Sequence, residues 1–154
     1  MAANDTYYEV VRVALTNDDW TITDSPLKLT VNDTNVKIDL GAEKLLTAER
    51  EGRKIAVEIK SFLNASPLYD FHLALGQYLN YQYALDIRDP ERKLYLAIPV
   101  DAYENFFIGR FAQEIVQRHG LNYFVFDPET KVIERWESRQ DSWKYRERGV
   151  QSVP

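Results

Sequence analysis

Asp39, Glu58 and Lys60 are the residues whose types and spacing could do chemistry in this chain. In Ala56-Val57-Glu58-Ile59-Lys60 the two-residue period of a β-strand puts Glu58 and Lys60 on one face with Ala56, and Ile55, Val57 and Ile59 on the other. The strand reads as central, where lone charges are costly to bury, so each needs a partner, a metal or a cleft. Asp39 ends an earlier strand and comes beside Glu58 if the intervening residues 40–57 fold back. Two carboxylates meeting at one point repel, and a divalent cation relieves that repulsion. All-oxygen ligation by Asp39 and Glu58 suits Mg²⁺ or Mn²⁺. Such an ion polarises a phosphoryl oxygen and stabilises a leaving oxygen, while Lys60 holds or helps deprotonate the attacking water; this is phosphodiester chemistry. The same spacing also reads as an exposed salt-bridge pair on a half-solvated strand, with Asp39 a turn residue.

Composition narrows the alternatives. The chain has 154 residues, the usual size of one domain, with 45% apolar and 28% charged residues, as in ordinary globular proteins. The absence of cysteine excludes disulfides, thiolate zinc sites and a cysteine nucleophile, and a count of two histidines argues against a His-rich metal site. His72 and His119 read as structural, the latter at a helix end where it meets the dipole. No P-loop and no G-x-S-x-G motif occurs. The opening MAANDTYYEVV lacks a basic n-region and apolar h-region, and no apolar run approaches membrane-spanning length, so a cytoplasmic protein without membrane attachment is expected. The formal charge is −5, but it is uneven: residues 1–24 hold five acids and one arginine, while 37–60 hold six bases and five acids. The deficit therefore argues against non-specific coating of nucleic acid and not against a local site.

The elements that must position these groups can be read from period and punctuation. An amphipathic helix spans residues 4–19, with Tyr7, Val10, Val11, Ala14 and Leu15 on one side. Trp20–Thr23 and Leu27–Val31 alternate, and the turn run Asn32-Asp33-Thr34-Asn35 makes a hairpin leading into a strand over Val36–Leu40. Glu51-Gly52, between Leu46–Arg50 and Lys54–Lys60, signals a second hairpin. Ser66-Pro67 is an N-cap followed by proline at the first helical position, opening a helix to about Leu85. Its apolar side is read as Leu68, Phe71, Leu75, Tyr78, Leu79 and Gln82. A second stripe, Asp70, Ala74, Gln77 and Tyr81, is small and polar and suits the lining of a cleft, with Gln77 set to position water or phosphate and Tyr81 a base or sugar. The alternative makes that stripe a solvent face and the tyrosines packing residues. Lys93–Pro99 reads as a doubly buried strand. A third helix over Ala102–Arg118 stops at Gly120, Asn122–Phe126 is another buried strand, and Val132–Trp136 an edge strand. The order implies an α/β (α+β) fold, a mixed sheet flanked by helices, as one domain over 1–137 with a polar C-terminal tail over 138–154.

Asp39, then Glu58-Ile59-Lys60, then a helix carrying Gln77-Tyr78-Leu79-Asn80-Tyr81 resembles the PD-(D/E)XK nuclease superfamily, including the Q-x-x-x-Y helix element of its RecB-like branch. Longer strings, among them Asp39-Leu40-Gly41-Ala42-Glu43-Lys44, Lys54-Ile55-Ala56-Val57-Glu58-Ile59-Lys60-Ser61-Phe62 and Arg92-Lys93-Leu94-Tyr95-Leu96-Ala97, resemble the XisH family of fdxN element excision controlling factors, over nearly the whole chain to about Trp136. The resemblance implies a restriction-endonuclease-like fold and a role in controlling excision of a DNA element by a separate recombinase, with DNA and an XisI-like companion as partners; a homodimer is allowed. It implies Asp39 and Glu58 as metal ligands, Lys60 as the catalytic lysine, and Gln77 with Tyr81 as an accessory pair. Ile38 replaces the proline of the superfamily motif, and Tyr8-Glu9 stands where a family histidine is expected. Asp19 occupies a helix-ending position that glycine would fit. Glu9 and Glu43 are further accessory candidates. Either a metal-dependent DNA endonuclease or a non-catalytic accessory factor of the same fold satisfies these observations.

Overall fold

A computed structural model describes residues 2–44 and 52–138, with the side chains of 2–6, 40 and 42–44 outside the description. The expected second strand over Leu46–Arg50, the Glu51 side of its turn and the tail beyond Ser138 lie outside the described residues. In chain order the elements are α1 (Ala2–Asn17), β1 (Trp20–Asp24), β2 (Leu27–Val31), β3 (Thr34–Ile38), β4 (Leu40–Lys44), β5 (Arg53–Ile59), α2 (Pro67–Arg88) and β6 (Lys93–Pro99). The short α3 (Val100–Ala102), a π-helical turn (Tyr103–Phe107), α4 (Arg110–His119), β7 (Tyr123–Asp127) and β8 (Val132–Glu137) follow.

A six-stranded mixed sheet in the order β1-β4-β5-β6-β7-β8 organises the molecule, and β2–β3 forms a separate two-stranded hairpin. The middle three strands run parallel and the outer pairings are antiparallel. The parallel strands are near-continuous apolar runs because helices cover both faces. On one face Ile55, Val57, Ile59, Tyr95, Ala97, Phe124 and Phe126 pack under Val11 and Leu15 of α1, with Trp20 and Trp136 closing the edge. On the other, Ala56, Leu94, Leu96, Ile98, Tyr123 and Val125 meet Phe71, Ala74, Tyr78 and Leu85 of α2 and Ala112 and Val116 of α4. The mixed sheet flanked by helices is thus present. No helix among the described residues is long and apolar enough to cross a membrane.

Four expectations need correction. β1 pairs with β4, and the hairpin is β2–β3 alone. The strand read over Val36–Leu40 breaks at Asp39, a bend between β3 and β4. The single helix read over Ala102–Arg118 is interrupted: a π-helical turn precedes Gly109, which caps α4 in an extended conformation. The break lets the sequence neighbours Phe106 and Phe107 both contact Phe71, with ring centroids 5.5 and 5.6 Å apart, where a regular helix would point them about 100° apart. Finally, α2 is rotated relative to its expected face. Leu68 and Leu79 are exposed, whereas Asp70 and Ala74 are buried. Asp70 accepts hydrogen bonds from the Asn64 backbone N–H and side-chain amide, which offsets its burial. At the end of α1, Asp19 adopts φ 68°, the left-handed conformation that makes glycine the easier residue there.

Candidate functional site

The C-terminal end of β5 carries the site. Glu58 lies on the same side as Ala56, the face covered by α2, and is only 7% exposed. β4 pairs with β5 so that Leu40 is opposite Val57, and the bend just before Leu40 brings Asp39 alongside Glu58 and Ile59. Two hydrogen bonds tie the segments together: the Ile59 N–H donates to Asp39 Oδ2 at 3.1 Å, and the Asp39 backbone N–H donates to the Glu58 carboxylate. Lys60 continues past the strand, its N–H donating to the Ala97 carbonyl at 3.0 Å. Its Nζ stands 3.9 Å from Glu58 Oε2.

Electrostatics at this point are strained. Burial pushes the Glu58 carboxyl up to about 8, and the neighbouring Asp39 charge pushes in the same direction; Lys60 and the Asp39 N–H pull against them. Glu58 Oε1 is buried with no hydrogen-bond partner. Leaving a buried acceptor unmet costs about 1–3 kcal/mol.

Helix α2 supplies the opposite wall. Ser66 Oγ accepts from the Tyr69 N–H at 3.1 Å and Pro67 occupies the first turn, so the helix starts where its N-cap sequence indicates. Its rotation is set by Tyr78, whose hydroxyl donates to the Leu94 carbonyl at 3.2 Å and accepts from the Asn122 N–H at 3.0 Å. With Tyr78 locked onto β6 and the start of β7, Tyr81 faces the carboxylates. Its hydroxyl is pushed up to about 12, first by burial and then by the Glu58 and Asp39 charges. One turn earlier, Gln77 Oε1 is buried without a hydrogen-bond partner.

The structure therefore brings Asp39, Glu58, Lys60 and Tyr81 together, with Gln77 on the same helix. Glu9 is not brought in; its side chain is 77% exposed and pairs with Arg12 at 3.5 Å. Glu43 lies on β4 opposite Thr21 and Lys54, and its side chain is outside the description. Ala74, expected to line a cleft, is core. Tyr8 of α1, which stands in the sequence where a family histidine is expected, was given no role there. Burial raises its hydroxyl, Arg12 lowers it, and smaller upward contributions come from Glu9 and Asp39, which places it near the Asp39 side of the site. Its neighbours Tyr7 and Val11 on the packed side of α1 were the available signal.

Among the described residues no group of three or more His, Asp or Glu gathers as a ready-made metal cage. The site nonetheless fits a small hard cation. Mg²⁺ is commonly held through one or two carboxylates with water completing its shell; Gln77 Oε1, and Glu58 Oε1 once ionised, are unmet acceptors.

Residues 1–134 match the family model described as XisH protein. The crystal structure of an XisH family protein from Nostoc punctiforme is similar at 42% identity and a TM-score of 0.80, covering 87% of this chain and 100% of that one. A fdxN element excision controlling factor protein from Anabaena variabilis is similar at 44% identity and a TM-score of 0.79, covering 87% of this chain and 99% of that one. No curated protein matches the chain.

Proposed function

The chain belongs to the XisH family, and from that premise we propose that it is a Mg²⁺- or Mn²⁺-dependent DNA endonuclease supporting excision of a DNA element. The observation that carries this reading is the Asp39–Glu58 pair: two carboxylates held together by reciprocal backbone hydrogen bonds, one of them buried with an unmet oxygen, beside a lysine. The excision role comes from the Anabaena variabilis relative, which is named as an excision controlling factor. A separate recombinase and an XisI-like companion are the proposed partners, and the cytoplasm the proposed location.

When bound, a divalent cation supplies charge stabilisation at the phosphoryl oxygens. Asp39 and Glu58 would hold it, and Glu58 must give up its proton to do so, so affinity for the cation rises as pH approaches about 8. Lys60 orients water for in-line attack. Tyr81 stays protonated at physiological pH and donates to a phosphate oxygen, and Gln77 Oε1 accepts from water.

The test is a cleavage assay on supercoiled and branched DNA with Mg²⁺ or Mn²⁺, comparing the wild type with Lys60→Ala and Asp39→Ala. Metal-dependent cleavage lost in both variants supports the reading. Its absence from the wild type, or equal cleavage by all three proteins, removes it.

A non-catalytic accessory factor is the second reading, favoured by one observation: Glu58 is only 7% exposed, and that burial resists the ionisation that holding a cation requires. A pull-down with the XisI-like companion that retains no complex counts against that role.

A further inference from the structure

Arg92 and Gly41 have no part in the chemistry above, and the fold brings them together next to it from distant parts of the chain. Arg92 stands just before β6, beside Lys93, which pairs with Ile55 of β5. Its side chain is only 8% exposed. Nε donates to Asp89 Oδ2 at 2.9 Å and Nη1 to the Ile55 carbonyl at 3.1 Å. Asp89 caps the C-terminus of α2, its N–H donating to the Leu85 carbonyl. The guanidinium also reaches β4: a Cβ added at Gly41 would lie 3.4 Å from Arg92 Nη1, 3.4 Å from Asp24 Cβ and 3.5 Å from Asp24 Oδ2. Gly41 is opposite Ala56, so it shares the face of β5 that carries Glu58 and that α2 covers.

The consequence runs along β4. Asp39 lies one residue beyond the last pair of the β4–β5 ladder, Leu40 opposite Val57. Its approach to Glu58 and Ile59 therefore depends on how closely the Leu40–Gly41 backbone is held to β5. Gly41 is held from two sides, since its carbonyl accepts from the Thr23 hydroxyl at 3.2 Å while its α-carbon faces the guanidinium. A methyl group at position 41 makes ordinary contact. A branched side chain must push the guanidinium off Ile55 or lift β4 from β5. Arginine suits the task because one rigid planar fork bonds in two directions, which a lysine ammonium on its flexible stem does not reproduce.

We propose that Arg92 is a positioning residue for the carboxylate pair: seated on Gly41 and fastened to Asp89 and Ile55, it fixes β4 on β5 so that Asp39 meets Glu58 and Ile59. Through Asp89 it ties the end of α2 to the same point. Its effect on the chemistry rests on the cation reading; its effect on Asp39 does not.

Two consecutive amides test this. The Ile59 N–H donates to Asp39 Oδ2, whereas the Lys60 N–H donates to the Ala97 carbonyl of β6. Hydrogen exchange at Ile59 therefore follows Asp39, and exchange at Lys60 follows the centre of the sheet. In Arg92→Lys, Arg92→Met and Gly41→Val, Ile59 is expected to exchange at least about tenfold faster, with Lys60 within about twofold of wild type. Gly41→Ala is expected to match wild type at both amides. Mn²⁺ affinity, measured by water-proton relaxation, is expected to fall about 10–100-fold in the first three variants, the usual cost of losing a group that orients a metal ligand. Urea unfolding establishes which variants are folded, and Arg92→Lys, which keeps the charge and most of the bulk, serves if Gly41→Val is not. Equal acceleration at both amides makes Arg92 a general staple of the sheet and overturns the proposal, as does unchanged exchange at Ile59 in the Arg92 variants. Wild-type Mn²⁺ affinity in variants whose Ile59 exchange has quickened overturns it too. A wild type that binds no Mn²⁺ removes the cation reading, and the two amides still decide whether Arg92 places Asp39.

Discussion

Strands β5 and β6 are parallel neighbours at the centre of one sheet, covered by the same helices, yet they differ where they meet in register: Glu58 of β5 lies beside Leu96 of β6. β6 is apolar from Leu94 to Pro99 and fully buried. β5 does the same structural work with Ile55, Ala56, Val57 and Ile59, then ends in a buried carboxyl and a lysine. The fold does not require a charge at this depth, since its twin manages without one. A buried carboxyl with a raised proton affinity and an unmet oxygen is the feature on which the proposed cation site rests.

That contrast can be broken from either side. The largest effect is expected on activity: Asp39→Ala or Lys60→Ala lowers metal-dependent DNA cleavage at least about 10³-fold, read as rates on supercoiled DNA, while leaving the melting temperature near wild type. On β6 the effect is on stability instead. Leu96→Ala removes packing from the α2 face and costs about 3 kcal/mol, measured by urea unfolding.

Glu58→Gln is the sharper probe. The folded-state affinity of Glu58 for a proton is raised above its unfolded value of 4.5, so the contribution of Glu58 to the stability of the metal-free wild type is full below about pH 4.5 and is lost as pH rises to about 8. The glutamine variant lacks that decline. It melts higher than wild type at pH 8 and gains nothing from added Mg²⁺. Identical pH profiles for the two proteins would show that Glu58 is not the group in question. The smallest effect is expected at Tyr78→Phe, which forfeits the bonds to Leu94 and Asn122 for about 1–2 kcal/mol. Because those bonds set the rotation of α2, cleavage is expected to fall with it, measured at a temperature where the variant is fully folded.

Much of this arrangement is legible in sequence, for local reasons. The alternation through residues 55–60 separates Glu58 and Lys60 from Ile55, Val57 and Ile59 because successive side chains on a strand point to opposite faces, and the structure keeps that separation. Ser66-Pro67 marks the start of α2 because capping is decided within one turn. The helical face was harder to read. Leu68 and Leu79 look like core residues by hydropathy, and Asp70 does not, yet the first two are exposed and the last is buried. Asp70 is buried at little cost because Asn64 satisfies it, a contact that no periodicity predicts. The break between Phe107 and Arg110 is likewise invisible in a helical pattern, since it answers to Phe71, Tyr123 and Phe62 packing around Phe107.

The amino-acid sequence by itself determined which side chains share the functional face of β5 and where α2 begins, because strand alternation and helix capping act over a few residues. Only the tertiary structure decided that Asp39 breaks the strand and bonds to Ile59, that Leu79 is exposed while Ala74 is buried, and that Glu9 stays in solvent. Those outcomes depend on partners far away in the chain. The rotation of a helix about its own axis is set by the sum of such contacts, here chiefly Tyr78 reaching Leu94 and Asn122.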